Sequence, residues 1–288
     1  MDVLEAEILR ALCFHDVCGY PPTRIELLGD ATPWSPLIVA GRIVETRGRL
    51  TFPGRMDLVS EHEAREALFP RKLRRARQVV RWLRRLGGVR FVALCNTTAL
   101  AHARDASDLD FFVIARAGTI WQTRAAAALP FKMFHLRPEE TSRDAVCLSF
   151  FVDETALDLS PLHLPGDDVY FCHWFLSLLP LFDDGISAHL WEANRSWLTI
   201  HHPHARIWLA HPELCLHPPR ARLPTFQAFE SWTRTFQQAR FPEAIRASMN
   251  QDSHVVVNDH VLKFHVEDGR ERFREAYHQN VQKYEVFP

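Results

Sequence analysis

Residues 89–114, VRFVALCNTTALAHARDASDLDFFVI, constrain the fold more than any other stretch of the chain. They read as a buried strand over 89–94, a polar turn over 95–98, a short small-residue helix over 99–104, a turn over 105–107, and a second apolar strand with two carboxylates at its mouth. Successive side chains of a strand point to opposite faces, so Asp108 and Asp110 share one face about 7 Å apart while Leu109 and Phe111 take the other. Two hard oxygen ligands on a rigid strand, facing a turn whose amides and hydroxyls open a helix, suit Mg²⁺ or Mn²⁺ beside a triphosphate. The chemistry implied is phosphoryl or nucleotidyl transfer.

The stretch resembles the nucleotidyltransferase superfamily typified by DNA polymerase β, whose signature is a hydrophobic strand, Gly-Ser or Gly-Gly, a short spacer, then Asp-hydrophobic-Asp or Glu. Asn96-Thr97 takes the Gly-Ser place, residues 98–107 the spacer, and Asp108-Leu109-Asp110 the metal motif. Asn is the non-Gly residue most tolerant of a left-handed backbone, and Thr97 can cap the helix or donate to phosphate. The resemblance implies an NTP bound with Mg²⁺ or Mn²⁺ on Asp108 and Asp110, with Asn96, Thr97 and Ser107 around its β- and γ-phosphates. It also implies transfer of an NMP to a hydroxyl on an RNA end, a small molecule or a protein, with release of pyrophosphate. The superfamily takes a third carboxylate from a neighbouring strand. Here residues 145–152 form a third apolar strand whose same-face series is Cys147, Ser149, Phe151, Asp153, so Ser149 stands in mid-strand, and Asp153 at the strand end, or Asp158 beyond it, substitutes.

Upstream, apolar residues at Leu4, Ile8, Leu9, Leu12 and Cys13 predict a helix that ends before Gly19 and Pro21-Pro22. Thr23 with Glu26 three residues on forms a capping box for a second helix. A brief apolar segment over 34–40 precedes two alternating strands joined at Arg47-Gly48. Helix, helix, short helix and hairpin resemble a winged helix. The segment in the recognition-helix place, PWSPLIVAG, has neither base-reading polar side chains nor cations, which favours docking over sequence reading. Arg42, Arg47 and Arg49 on the wing remain able to touch a phosphate backbone.

A long helix over 57–86, kinked or restarted at Pro70, follows. The formal net charge of −1 conceals a local asymmetry, since residues 56–90 carry ten Lys/Arg against four Asp/Glu. Arg71, Lys72, Arg74, Arg75 and Arg81 are therefore candidates for a groove that binds RNA or another polyanion, the alternative being a solvated, salt-bridged face. Residues 120–129 form a clear helix on which Trp121 and Arg124 lie one turn apart; they read as a base platform and a phosphate clamp, or as a core residue and an ion-paired one.

With 47% hydrophobic and 24% charged residues the chain is globular. Its six scattered cysteines show no metal-site pairing and read as reduced core residues, and no apolar run reaches membrane-spanning length. The expectation is a cytoplasmic protein with no membrane partner. Residues 169–181 and 188–198 read as helices, His201-His202-Pro203-His204 as a break without paired zinc spacing, and 210–224 as a linker. An amphipathic helix over 226–236, a strand near 255, an extended segment with Lys263 and His265 on one side, and a last helix over 267–283 complete the chain. The fold class expected is α+β: a winged-helix-like module over 1–55, a basic linker helix over 56–87, a polymerase-β-like nucleotidyltransferase core over 88–165, and a mainly helical region over 166–288. Two other functions remain open, a catalytically inactive nucleotide-binding sensor or scaffold and a winged-helix regulator that binds nucleic acid.

Overall fold

A computed structural model of the chain describes residues 3–28, 35–201 and 212–286. The architecture is α+β, built on a mixed six-stranded sheet. Its strands are β3 (Val89–Leu94), β4 (Leu109–Ala115), β5 (Val146–Asp153), β6 (Leu179–Asp183), β7 (Val255–Val257) and β8 (Val261–Phe264), and their spatial order is β6-β3-β4-β5-β8-β7. All neighbours pair antiparallel except β4 and β5, which are parallel and joined across one face by helix α7 (Ile120–Met133). Helix cover on both faces explains why β3, β4 and β5 read as continuous apolar runs, without the alternation of a half-solvated sheet.

Val92, Leu94, Phe111, Val113 and Phe151 pack on one face against helix α5 (Phe69–Leu83) and α7. Phe91, Ala93, Phe112, Ile114, Phe150 and Val152 pack on the other against α8 (Val169–Leu176) and α9 (Ser187–His201). A third core joins the two ends of the chain: Ile8, Leu12 and Phe14 of α1 (Val3–Val17) pack with Tyr277 of α12 (Arg270–Lys283).

The N-terminal order is the expected one: α1, then α2 (Arg24–Leu28) and α3 (Ser35–Val39), then the hairpin β1 (Val44–Thr46) and β2 (Arg49–Thr51). The Thr23–Glu26 capping box is formed, with the Thr23 amide donating to Glu26 at 2.7 Å and the Glu26 amide to Thr23 Oγ1 at 3.3 Å. Arg47 and Gly48 both take positive φ, the turn that a right-twisted hairpin requires. Part of the 34–40 segment and His202, His204 and His211 lie outside the described residues. The expected long helix is two, α4 (Asp57–Glu66) and α5, with Pro70 in the first turn of α5, where its missing N–H costs nothing.

Two expectations are corrected. The helix expected over 99–104 is a single turn placed earlier, α6 (Asn96–Ala99), because Asn96 itself turns the chain out of β3. The helix expected over 169–181 ends at Leu176; Leu179–Asp183 pairs with β3 as a sheet edge, and its apolar run fits a buried strand as well as a helix. The region beyond residue 166 therefore supplies three of the six strands as well as helices α9, α10 (Glu230–Gln238), α11 (Glu243–Ser248) and α12. All six cysteines are free, and no described helix is long and apolar enough to cross a membrane.

Candidate active site

Strand alternation puts Asp110 on the α8 face of the sheet, in series with Phe112 and Ile114, and Asp108, the residue before the strand, lies near enough for the charge of Asp110 to act on it. Where β3 ends, the Cys95 amide donates to the Asp110 carbonyl at 3.1 Å, so the next residue, Asn96, comes to lie beside Asp110. Asn96 holds φ at +58°, the left-handed conformation for which the sequence pattern has Gly. Its side chain hydrogen-bonds the Asp110 carboxylate, and its Oδ1 accepts from Tyr170 Oη at 3.4 Å. Thr98 Oγ1 donates to the Asp108 carbonyl at 3.2 Å, and Thr97 is exposed at the rim. Ser107 Oγ accepts from the Arg104 amide at 3.0 Å, which fixes the turn leading into Asp108.

Burial raises the Asp110 carboxyl above its ordinary value, against the hydrogen bonds from Asn96 and Cys147 and the charge of Lys72. Burial, then the neighbouring charge of Asp110, raises Asp108 as well, again with Lys72 opposing. Two carboxylates held together in a poorly solvated corner favour a shared cation. Hard carboxylate oxygens fit Mg²⁺ or Mn²⁺, and Mg²⁺ is commonly held by one or two carboxylates with waters and substrate phosphates completing the shell. Among the described residues no group of three or more His, Cys, Asp or Glu side chains converges as a metal site.

Several residues singled out in the sequence lie elsewhere. The expected face series on β5 breaks at a bulge: Asp110 pairs with Cys147 but Phe112 pairs with Phe150, so β5 has one residue more than β4 in this interval. Cys147, Ser149, Phe150 and Val152 thus face the site's side, while Phe151 packs on the other. Asp153 pairs with Ala115, roughly 16 Å along the sheet from the Asp110 level, and accepts from Thr155 Oγ1 at 2.6 Å with His260 Nδ1 at 3.0 Å. It is therefore a strand-end anchor, and Asp158 caps the next turn through the Ser160 amide. Arg124 lies across the sheet from Asp110, where it donates to Gln237 at 2.6 Å and stacks 4.4 Å from the Phe264 ring. Trp121 is fully buried there, its indole N–H on Asp259, so neither is a nucleotide contact.

The basic helix also divides. Lys72 is buried and donates to the Ser107 carbonyl at 2.7 Å and to Asp144 at 2.8 Å; Arg71 pairs with Asp144 and Asp105. These two hold the turn before Asp108 and are not free for nucleic acid. Arg74 and Arg81 are exposed, Arg75 half-buried, and Arg85 extends the exposed row. On the wing, Arg42 donates to the Tyr284 carbonyl, Arg47 pairs with Glu63, and Arg49 donates to the Pro21 carbonyl, so all three are engaged within the chain.

Beside Asp110 and Asn96 opens a cavity of about 350 Å³ between β5, α8 and the segment joining β8 to α12. Phe150, Tyr170 and Trp174 supply aromatic wall, and Ser149 and His265 meet at 3.0 Å. Lys263 and His265 reach this cavity as their alternation suggested. Alternation along β5 placed Cys147 and Ser149 on one face, whereas Tyr170 carried no recognisable motif, because a helix contact brings it in. No family model matches this chain, and neither the curated proteins nor the solved structures yield a match.

Proposed function

We propose that the chain is a metal-dependent nucleotidyltransferase that transfers an NMP from an NTP to a hydroxyl acceptor and releases pyrophosphate. The observation that carries this reading is the pairing of Asp108 and Asp110 with a left-handed Asn96 at a strand, turn and strand, next to a cavity with room for an organic substrate. The order α5, β3, α6, β4, α7, β5, α8 around that corner supports the likeness to polymerase-β-type nucleotidyltransferases drawn from the motif.

When bound, a divalent cation would supply neutralisation of the triphosphate and polarisation of the α-phosphate. The protein's share is positioning and electrostatics. Asp108 and Asp110 would hold the cation. Asn96, itself held by Tyr170, orients the Asp110 carboxylate, and Thr97 offers an exposed hydroxyl at the rim where phosphate oxygens would lie. Lys72 fixes the 105–108 turn from behind and keeps a positive charge near both carboxylates. Aromatic wall beside Asp110 excludes water, which strengthens each of these interactions.

The test is pyrophosphate release from each NTP with Mg²⁺ or Mn²⁺, with RNA and cell extract as acceptor sources, in the native chain and in an Asp108→Ala, Asp110→Ala double variant. Release confined to the native chain is the expected result. Release that persists in the variant refutes the assignment. Metal-dependent NTP binding without release under any condition replaces it with a nucleotide sensor, a reading favoured by Ser149 standing where a third carboxylate was sought.

A further inference from the structure

The cavity beside Asp110 contains a pair of side chains that metal and phosphate binding leave unused. Ser149 Oγ lies 3.0 Å from His265 Nε2, and Cys147 Sγ donates to the same Oγ at 3.3 Å. Ser149 keeps the face of Cys147 ahead of the β5 bulge, which turns Phe150 to that side as well, and His265, just past β8, is the next residue after Lys263 on the same side of its strand. Burial, then the charge of Lys263, pushes His265 down to about 3, so its imidazole is neutral and one ring nitrogen is an acceptor. With the proton on Nδ1, His265 Nε2 accepts the Ser149 hydroxyl. The Cys147 thiol has a single proton to share between Ser149 Oγ and the Asp110 carboxylate, so Ser149 Oγ keeps acceptor capacity for a further partner.

The cations on the cavity wall are already paired. Lys263 donates to Asp268 at 2.8 Å, and Arg270 is shared between Asp268 at 2.9 Å and Asp168 at 2.7 Å. Neither cation is therefore left for an anionic ligand, and of the carboxylates on the wall Asp110 belongs to the proposed metal pair. What remains is aromatic surface from Phe150, Tyr170 and Trp174 and the hydroxyl of Ser149. About 350 Å³ lies at the lower end of small-molecule pockets.

We propose that this cavity is the acceptor subsite, that the acceptor is a neutral, hydroxyl-bearing ring of sugar or nucleoside size, and that Ser149 receives its attacking hydroxyl while His265 positions Ser149. The inference rests on the nucleotidyl-transfer reading. The acceptor oxygen forms a bond to the α-phosphorus, the bond from that phosphorus to the oxygen bridging to the β-phosphate breaks, and pyrophosphate leaves with that bonding pair. The acceptor's proton moves to Ser149 Oγ as Ser149 passes its own to His265 Nε2, and from the imidazole to water. An oxygen already bonded to phosphorus is a strong acid, so a weakly basic imidazole suffices late in the reaction. Here orientation of the attacking oxygen is the larger contribution.

The experiment has a binding arm and a kinetic arm. In the first, adenosine and methyl glucoside are titrated calorimetrically into the native chain and into Ser149→Phe, which fills the cavity; binding of at least one probe by the native chain and its loss in Ser149→Phe are expected. Absence of binding by both, or binding that survives Ser149→Phe, overturns the proposal. In the second, Ser149→Ala and His265→Leu are expected to lower transfer to the bound probe by about a hundredfold, mainly in kcat, without changing NTP affinity. His265→Gln, whose amide oxygen can accept the Ser149 hydrogen, restores most of the loss; a purely structural role for His265 would not separate Gln from Leu. Transfer unchanged in Ser149→Ala refutes the subsite even where Asp108→Ala, Asp110→Ala has abolished pyrophosphate release, whereas release that survives the double variant refutes the nucleotidyl-transfer reading itself. An NTP affinity that falls together with probe binding makes the cavity the nucleotide's own pocket and overturns its assignment to the acceptor.

Discussion

His102, in the loop between α6 and β4, gives the structure a measurable response to acid. It is buried, its Nδ1 lies 3.0 Å from His62 Nδ1, and its Nε2 lies 2.5 Å from Arg65 Nη1. A guanidinium only donates, so His102 Nε2 accepts, its proton sits on Nδ1, and His62 carries its proton on Nε2. Protonating His102 would set an N–H against the guanidinium in a buried site. Burial first, then Arg65 and His62, push its pKa down to about 3. An unfolded histidine titrates near 6.5, so between these values the unfolded chain binds a proton that the folded chain does not. Stability is therefore complete above about 6.5 and is lost as pH falls toward 3. By linkage, moving from pH 7 to pH 5 costs about 1.9 kcal/mol from His102 alone. Urea unfolding of the native chain and His102→Gln at both pH values isolates this contribution, because groups common to both chains cancel in the difference. The native chain is expected to lose about 1.9 kcal/mol more than the variant. Parallel losses would refute the buried, neutral assignment.

Lys72→Met removes the cation under the Asp108 turn and leaves part of Asp144 unpaired in the interior; a loss of about 3–5 kcal/mol in chemical denaturation is expected, smaller when Asp144→Asn is added. Gly88→Ala sets a Cβ 2.0 Å from Thr123 Oγ1 and 3.0 Å from Thr119 Oγ1, so it should destabilise by about 1–3 kcal/mol or more, and Gly88→Ala with Thr123→Ala should recover part of the loss in the same assay. If RNA is the acceptor's carrier, Arg74→Glu, Arg81→Glu and Arg85→Glu together should weaken its binding and flatten the salt dependence, while Arg71→Gln should act through stability; equal salt slopes in filter binding would exclude the exposed row.

Local chemistry made much of this legible in the sequence. The capping box at Thr23, the Arg47-Gly48 turn, the restart at Pro70 and the bounds of β3 each depend on residues adjacent in the chain, and each is observed. The Asp108 and Asp110 pair follows from strand alternation, and Asn96 adopts the left-handed backbone its chemistry tolerates. What escaped depends on tertiary partners. Leu179–Asp183 is apolar enough for either helix or strand, and only the open edge of β3 decides. Phe150 and Val152 turn to the site's side because a bulge adds one residue, which no count along β5 reveals, and Lys72 is drawn inward by Asp144, more than seventy positions away in the chain. Arg124 and Asp153 have the right chemistry on the wrong side or the wrong end of the sheet.

The strand order also sets a schedule for synthesis. The central strands β3, β4 and β5 leave the ribosome together, but β5 keeps an open edge until β8 arrives more than a hundred residues later, and the other side of the sheet waits for β6. An unpaired strand edge is a template for association, so a nascent or truncated chain ending before residue 255 is exposed to aggregation in a way the full chain is not. The segment that closes the edge also delivers His265 to the cavity, and α12, which follows, packs on α1 at the other end of the chain. A chain cut short in this region would therefore lack a cavity wall and an edge strand at once, so quality control that removes edge-exposed chains would also remove those without a complete site.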